Sequence, residues 1–254
     1  MEPIVICIRE PGDELADAVG TELEERGICF RAIELAELGE VGIRIRGSAC
    51  SIDGVPVAGV LSRGLPNLNI ASRFGLLDQP FCNSELGAAW LAVLNLPSVL
   101  AINRYTAGMW YEHLHWQSFR GLLKEANIPT CTLTFGGDGC NEQGVRWLSY
   151  VSSEPVSTVN PTVHAHLGSA LTLSQSASSA LWVCGKRIHG AAGDNAEAAA
   201  RYLNKMGVAL VEIWTEPDGS IFLVNPQPSI SDPRLLGRAA TLISNSFYVH
   251  LHHW

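Results

Sequence analysis

Histidine pairs are the residues of this sequence whose type and spacing best suit metal chemistry. Seven of the 8 histidines fall in three short clusters, and His164 and His166 lie in a segment expected to form a strand. Side chains two residues apart on a strand project to the same face. His164 and His166 could therefore bind one zinc ion together with a third ligand from elsewhere. The alternative is a solvated His-x-His row that binds nothing.

Two arginines follow apolar runs that are predicted to be strands. Arg63 ends "VAGVLSR", and Arg104 follows "VLAIN". The carboxyl ends of strands are where α/β sheets place groups that contact ligands. Arg63 and Arg104 are therefore candidate ligand-binding residues, and a surface ion pair is the alternative for each.

The stretch "VEIWTEPDGSIFLVNPQPS", residues 211–229, predicts a hairpin that runs into an Asn-Pro-x-Pro step. A Pro-Asp-Gly turn separates two apolar runs. Glu212 stands in the first run, and Asn225 ends the second. The hairpin is either the floor of a ligand cleft or a pair of strands that the fold itself needs.

The first hundred residues alternate between strand and helix patterns. "IVICI", residues 4–8, predicts a strand covered on both faces, and the next segment predicts a helix that ends at Gly27. Asp53 and Gly54 predict the turn between two further strands. Farther on, "SELGAAWLAVLNLP" predicts a helix with Ser84 as its N-cap.

After the run that ends at Arg104, antiparallel strand patterns predominate. A last helix is predicted with Ser231 or Asp232 as its cap and Pro233 at its first position. We expect an α/β fold of the α+β kind in two parts. Residues 1–104 would form an N-terminal α/β domain, and residues 105–254 a second domain.

Composition excludes several classes of protein. The net charge is -8 with 17 lysines and arginines, which disfavours a nucleic-acid binder because such a protein needs a basic face. Apolar stretches end well short of the ~20 residues of a membrane-spanning helix. The 7 cysteines include no C-x-x-C pair, which disfavours a zinc site made from them and suits a cytoplasmic protein.

Three passages, in this order, resemble the ATP-grasp ligases. They are "SELGAAWLAVLNLPSVLAINR", "LLKEANIPTCTL" and "LWVCGKRIHGAAGDNAEAAARYLNKMGVALVEIWTEPDGSIFLVNPQPS". The likeness is greatest to the branch with ribosomal-protein glutamate ligases, glutathione-synthetase-like enzymes and graspetide peptide ligases. The resemblance implies a pre-ATP-grasp-like domain followed by a shortened ATP-grasp-like domain.

The same resemblance assigns roles to the closing hairpin. In active members of the family this hairpin supplies an Asp, a Glu and an Asn to magnesium and ATP, and ATP then activates a carboxylate for attack by an amine. Glu212 stands at the Asp position and Asn225 at the Asn position. Leu223 stands at the Glu position, and its side chain cannot ligate a cation.

The cationic positions of the family are also changed. The resemblance places Trp116 where the first ATP-contacting lysine would be, preceded by His115 at an Asp position. The second lysine and its glycine loop have no counterpart, and the arginine position falls near residues 180–182. These losses amount to about 5–10 kcal/mol of contacts, so binding of Mg-ATP is disfavoured. Trp116 would fill volume in the nucleotide cleft.

His115 would also lie near that cleft. The candidate ligands of a divalent metal such as zinc are therefore His115, His164, His166 and Glu212. The candidate ligand-binding residues are Arg63, Arg104, Trp116, Glu212 and Asn225.

We therefore expect a divergent ATP-grasp-fold protein of a biosynthetic pathway that modifies a coenzyme or a peptide. It would act as a ligand-binding or scaffolding subunit, a pseudoenzyme without standard ATP-dependent ligation. One alternative is an active ATP-dependent carboxylate–amine ligase that adds an amino acid such as glutamate. Another is a metal-binding protein or metalloenzyme. Expected partners are a small-molecule or peptide ligand, a protein of the same pathway and a second copy in a homodimer.

Overall fold

Strand β1, Ile4–Arg9, lies inside the first sheet, between two parallel neighbours. They are β2, Phe30–Glu34, and β5, Val55–Ser62. Residues 4 to 8 are buried, as the unbroken apolar run predicts.

A computed structural model of the protein describes residues 2–63, 78–105, 116–130, 147–148, 155–156 and 178–253.

The first sheet has six strands. β3, Ile43–Arg46, and β4, Ala49–Ile52, extend it antiparallel to β5, and β6, Leu100–Ile102, pairs with β5 in parallel. The predicted turn between β4 and β5 is confirmed, since Asp53 and Gly54 have φ angles of 50° and 83°. The carboxyl ends of β1, β5 and β6 consequently meet at one edge of the sheet.

Two helices follow strands of this sheet. Helix α1, Glu14–Glu25, is capped by the Asp13 carboxylate and ends just before Gly27, whose φ is 74°. Helix α2, Gln79–Leu94, begins five residues before the predicted cap at Ser84. A proline in its first turn explains the difference, because the first turn of a helix needs no intrahelical N–H donor from that position.

The next described elements are short. They are α3, Trp116–Glu125, β7, Trp147–Leu148, and β8, Pro155–Val156. After α3 the chain docks on the second sheet, where the carbonyl of Pro129 accepts a hydrogen bond from the Ile221 amide at 2.9 Å.

The second sheet is antiparallel and has the order β10-β9-β11-β12. Its strands are β9, Ser178–Val183; β10, Lys186–Gly190; β11, Leu210–Thr215; and β12, Ile221–Asn225. Helix α4, Asp194–Lys205, connects β10 to β11 and buries an alanine-rich face with Leu203. Gly193 is its N-cap residue.

Helix α5, Pro233–His252, packs against α1 of the first layer. Arg26 Nη1 donates to Asn245 Oδ1 at 2.6 Å across this contact. The ring of Phe247 covers Gly59 so closely that a Cβ at Gly59 would lie 2.6 Å from it. The last helix of the chain thus completes the core of the first sheet.

The cap of α5 is one of the two residues that the sequence offers. The Asp232 carboxylate accepts hydrogen bonds from the amides of Arg234 and Leu235 at 2.8 and 3.4 Å, and Pro233 opens the helix. Within the described ranges no helix is both long and apolar enough to span a bilayer. The division of the chain after residue 104 remains a prediction.

Candidate functional site

The closing hairpin brings its two oxygen-bearing side chains together. Glu212 of β11 lies directly opposite Asn225 of β12, and Trp214 lies opposite Leu223. Opposite residues of an antiparallel pair share a face, as do residues two apart along a strand. All four side chains therefore stand on one face, with Glu212 and Asn225 half-buried.

The Asn-Pro-x-Pro step is fastened to the first sheet. Asn225 Oδ1 accepts a hydrogen bond from the Gln227 amide at 3.0 Å, which fixes the turn after β12. The carbonyl of Pro226 accepts from Asn103 Nδ2 at 2.7 Å, just beyond the end of β6. The step therefore closes the junction between the two sheets, at the edge where β1, β5 and β6 end.

Leu223 gives this face an apolar third position. Its side chain is only 7% exposed and belongs to the main hydrophobic core. A metal ion gains no oxygen ligand there, and a phosphate gains no hydrogen-bond donor. Within the part of the chain that the structure describes, no group of three or more His, Cys, Asp or Glu side chains could hold a metal ion.

Arg63 lies buried at the carboxyl end of β5. Its residue is 8% exposed, and Nε donates to Asp13 Oδ2 at 2.9 Å while Nη2 donates to the carbonyl of Pro228 at 3.1 Å. The ion pair is therefore inside the protein rather than at the surface. Asp13 also caps α1, so one carboxylate joins the arginine to a helix N-terminus.

Buried titratable groups surround Arg63. Burial raises the pKa of the Tyr105 hydroxyl, and nearby Asn103, Gln227 and Arg63 partly oppose the shift. Burial also raises the pKa of the Cys7 thiol, and the neighbouring Asp13 raises it further. Both groups therefore remain protonated at neutral pH.

Arg104 is engaged with the backbone. Its amide donates to the Gly207 carbonyl at 2.7 Å, and its Nη2 donates to the Val99 carbonyl at 3.0 Å. The side chain lies so close to Gly207 that a Cβ there would be 2.7 Å from Arg104 Cβ. These contacts join β6 to the chain before β11, and ligand binding by Arg104 remains a prediction.

The other predicted site residues lie outside the part of the chain that the structure describes, or at its margin. His115, His164 and His166 are outside the described residues, and Trp116 is described only as the first residue of α3. The hypothesis of a zinc site formed by these histidines with Glu212 remains a prediction. Metal analysis of protein purified without a metal-affinity step tests it. At the family's arginine position, residues 180–182 are buried and apolar.

A basic cavity lies between β10 and the start of α5. Its volume is about 500 Å³, and it is lined by Ile188, Pro233, Gly237, Thr241 and Leu242 and by four cations, Lys186, Arg187, Arg234 and Arg238. The four cations come from two segments nearly fifty residues apart. No local pattern marks such a cluster, which depends on how α5 packs.

Comparison with known proteins gives the fold. No protein-family profile matches the sequence, and no curated protein sequence matches it. Solved structures do match. The ATP-grasp ligase PsnB, complexed with a phosphomimetic variant of a minimal precursor, Mg and ADP, is 12% identical with a TM-score of 0.66. The alignment covers 99% of this chain and 98% of that one.

Two further ligases are similar over nearly their whole length. The macrocyclase MdnC from Microcystis aeruginosa MRC, bound with precursor peptide MdnA, is 12% identical with a TM-score of 0.59, covering 94% of this chain and 99% of that one. A RiPP-associated ATP-grasp ligase of Chryseobacterium gregarium, in complex with ADP and a leader and core peptide, is 8% identical with a TM-score of 0.58, covering 96% and 97%. The predicted fold class, mixed α/β of ATP-grasp type, is confirmed.

Proposed function

We propose that this protein binds a peptide within a peptide-modification pathway and has lost standard Mg-ATP-dependent ligation. It would act there as a ligand-binding or scaffolding subunit. Two observations support the proposal: an ATP-grasp-like fold matched over nearly the whole chain, and a leucine on the face of the hairpin that carries Glu212 and Asn225.

Leu223 is the observation that carries the loss of ligation. Magnesium takes oxygen ligands and bridges nucleotide phosphates. Glu212 and Asn225 retain oxygens opposite each other, but Leu223, two residues before Asn225 on the same face, is aliphatic and 7% exposed. One oxygen of the expected set is therefore absent, and Asn225 Oδ1 already accepts the Gln227 amide.

The solved relatives support a peptide as the ligand. PsnB, MdnC and the Chryseobacterium gregarium ligase were each solved with a precursor peptide or peptide segments. This chain aligns with 97–99% of each of them. A fold matched along nearly the whole chain supports a protein that still binds a peptide although it no longer uses Mg-ATP in the standard way.

Calorimetry tests both halves of the proposal. Peptides selected from a random phage-displayed library should bind with dissociation constants that do not depend on Mg-ATP. Mg-ATP alone should give no saturable heat in the micromolar range. Micromolar binding of Mg-ATP would overturn the loss of ligation, and failure to select any peptide that binds in solution would overturn the peptide ligand.

An active carboxylate–amine ligase is the second candidate. It is favoured by Glu212 and Asn225, which stand opposite each other and half-buried, and by the Mg and ADP bound in the PsnB structure. Its test is phosphate release from Mg-ATP in the presence of a selected peptide. Glu212→Gln should then abolish release while leaving peptide binding intact.

A further inference from the structure

The basic cavity between β10 and the start of α5 gathers four cations in a chain whose net charge is -8. Lys186 and Arg187 come from β10, and Arg234 and Arg238 come from α5. Within the part of the chain that the structure describes, no acidic side chain lines this cavity. Like charges around one space repel each other, so such a cluster is a cost to the folded protein unless an anion occupies it.

The cavity cations lack the acidic partners that other arginines have. Ion pairs with an aspartate or a glutamate are formed by Arg9, Arg26, Arg31, Arg63 and Arg201. Among the described residues, no such pair involves any of the four cavity cations. Their charges are therefore not neutralised by the fold.

Two carboxylates near the cavity are already engaged. Asp232 accepts hydrogen bonds from two amides in the first turn of α5 at 2.8 and 3.4 Å. Glu22 accepts from the hydroxyl of Thr241, which lines the cavity, and forms an ion pair with Arg26 at 3.2 Å. Because Asp232 takes the first-turn amides, an anion in the cavity would be bound by side chains rather than by the helix N-terminus.

Both walls direct their cations into the cavity. Arg234 and Arg238 are four residues apart on α5 and so lie on one face of the helix. The pairing of β10 with β9 shifts between Arg187 and His189, and such a bulge re-aims side chains that would otherwise alternate between faces. Lys186 and Arg187 consequently both line the cavity although they are adjacent in the strand.

The cavity also has an oriented guanidinium and an apolar side. Arg238 Nη1 donates to the Ile188 carbonyl at 3.1 Å, which orients a group with five N–H donors in all. Ile188, Pro233 and Leu242 supply carbon surface to the lining. The volume of about 500 Å³ is in the range of sites for small ligands.

We propose that this cavity binds a phosphate monoester, with its phosphate oxygens on the cations and its carbon part on the apolar side. The guanidinium fork matches two oxygens of a phosphate, and a phosphate monoester carries about two negative charges at neutral pH. A carboxylate offers two oxygens and one charge, which is a poorer match to four cations.

A small organic phosphate and a phosphorylated side chain share this chemistry, and the experiment below distinguishes the two sources. The cavity shares no lining residue with the closing hairpin. The phosphate site is therefore independent of the proposed function.

Calorimetry at low ionic strength tests the site with two matched pairs of probes. Phenyl phosphate is compared with benzoate, and a capped Ala-phosphoserine-Ala tripeptide with capped Ala-Glu-Ala. At least one phosphate probe should bind saturably and about tenfold more tightly than its carboxylate partner, and added salt should weaken this binding. The phosphate probe that binds more tightly identifies the source. Equal affinities within both pairs, or no saturable binding of either phosphate at millimolar concentration, would overturn the proposal.

Arg234→Gln/Arg238→Gln is the decisive variant because both side chains lie on exposed residues of α5. Affinity for the phosphate probe should fall about tenfold or more, as for loss of charge-assisted hydrogen bonds. Arg44→Gln/Arg46→Gln removes two exposed cations from β3 and is the control with the same change in net charge. Its affinity should stay within about twofold of wild type. Equal losses in the two variants would indicate attraction to the overall charge alone and would overturn the site.

Lys186→Gln gives a second test if the double variant fails to fold. This substitution leaves the hydrogen bond between Arg238 and the Ile188 carbonyl in place. Affinity for the phosphate probe should fall severalfold because one of the four cations is lost. Unchanged affinity in Lys186→Gln and in every folded arginine variant would overturn the proposal.

Discussion

The side-chain amide of Asn103 forms hydrogen bonds with the backbone of Leu210 in both directions. Nδ2 donates to the Leu210 carbonyl at 3.0 Å, and the Leu210 amide donates to Oδ1 at 2.7 Å. Asn103 is wholly buried, and its Nδ2 also reaches the Pro226 carbonyl at 2.7 Å. The Asn103 side chain thus forms the pair of backbone hydrogen bonds that a neighbouring strand would form with β11. It also joins the two sheets at the candidate site.

Replacement of Asn103 should therefore destabilise the protein strongly. Asn103→Ala leaves buried backbone groups of Leu210 and Pro226 unpaired, which should cost about 2–4 kcal/mol of unfolding free energy in urea titrations. Asn245→Ala removes an exposed hydrogen bond to Arg26 and is the control, with an expected change within about 0.5 kcal/mol. Equal effects of the two substitutions would contradict this role.

Leu223→Glu should restore an oxygen ligand at a cost to the apoprotein. A carboxylate in this buried position should lower the unfolding free energy by about 2–4 kcal/mol without metal. Added Mg-ATP should recover part of that loss and should bind measurably by calorimetry. Leu223→Met, which keeps the volume and adds no oxygen, is the control. No gain in Mg-ATP binding would contradict the role given to Leu223 and would attribute the loss of Mg-ATP binding to the missing lysines and arginine.

Stability should fall as the solution becomes alkaline. Burial raises the pKa of the Cys7 thiol, that of Cys50 to about 11, and those of Cys184 and Tyr105. The unfolded chain loses the thiol protons above about pH 8.5 and the tyrosine proton above about pH 10, and the folded chain loses them only at higher pH, so the unfolding free energy decreases with rising pH. Cys7 alone should contribute about 2 kcal/mol by pH 10.

Urea titrations between pH 7 and pH 10 measure this loss. Cys7→Ala should be less stable at pH 7 but should show a smaller decrease on going to pH 10. The same decrease in wild type and Cys7→Ala would mean that the Cys7 thiol already ionises in the folded protein.

Gly59→Ala should be destabilising because its new methyl group would meet the Phe247 ring. The expected cost is about 1–3 kcal/mol, as for other overpacked cores. Gly121→Ala in α3 is the matched control, because a Cβ there meets nothing within 4 Å. Phe247→Leu should relieve the clash, so the double variant should lose less than the two single variants added together. Strict additivity would contradict the contact.

A homodimer is the expected assembly. Light scattering during size-exclusion chromatography should give twice the mass of one 27.4 kDa chain. A mass of one chain at micromolar concentration would contradict the expectation.

Local patterns predicted most of the elements. The Asp53–Gly54 turn, the helix end before Gly27 and the Asp232–Pro233 helix start each depend on residues close together in sequence, and the structure has all three. The predicted start of α2, with Ser84 as its cap, was wrong, and the reason is again local. A capping residue is a strong local signal, but a proline just upstream also fits a helix start.

The site was less predictable because its contacts are long-range. Arg63 is placed by Asp13, 50 residues earlier, and by Pro228, 165 residues later. Asn103 bonds with Leu210 across 107 residues. The sequence marked Arg63 only as the end of a strand, and nothing local distinguished Gln227. The pairing of Glu212 with Asn225, by contrast, follows from the hairpin register.

The packing of α5 on α1 has a consequence for biosynthesis. On the ribosome, the apolar surface around Gly59 is translated well over a hundred residues before Phe247 and its neighbours, which cover it. At ~5–20 residues per second, that surface stays open for on the order of ten to forty seconds. Nascent chains should therefore attract chaperones until α5 leaves the exit tunnel.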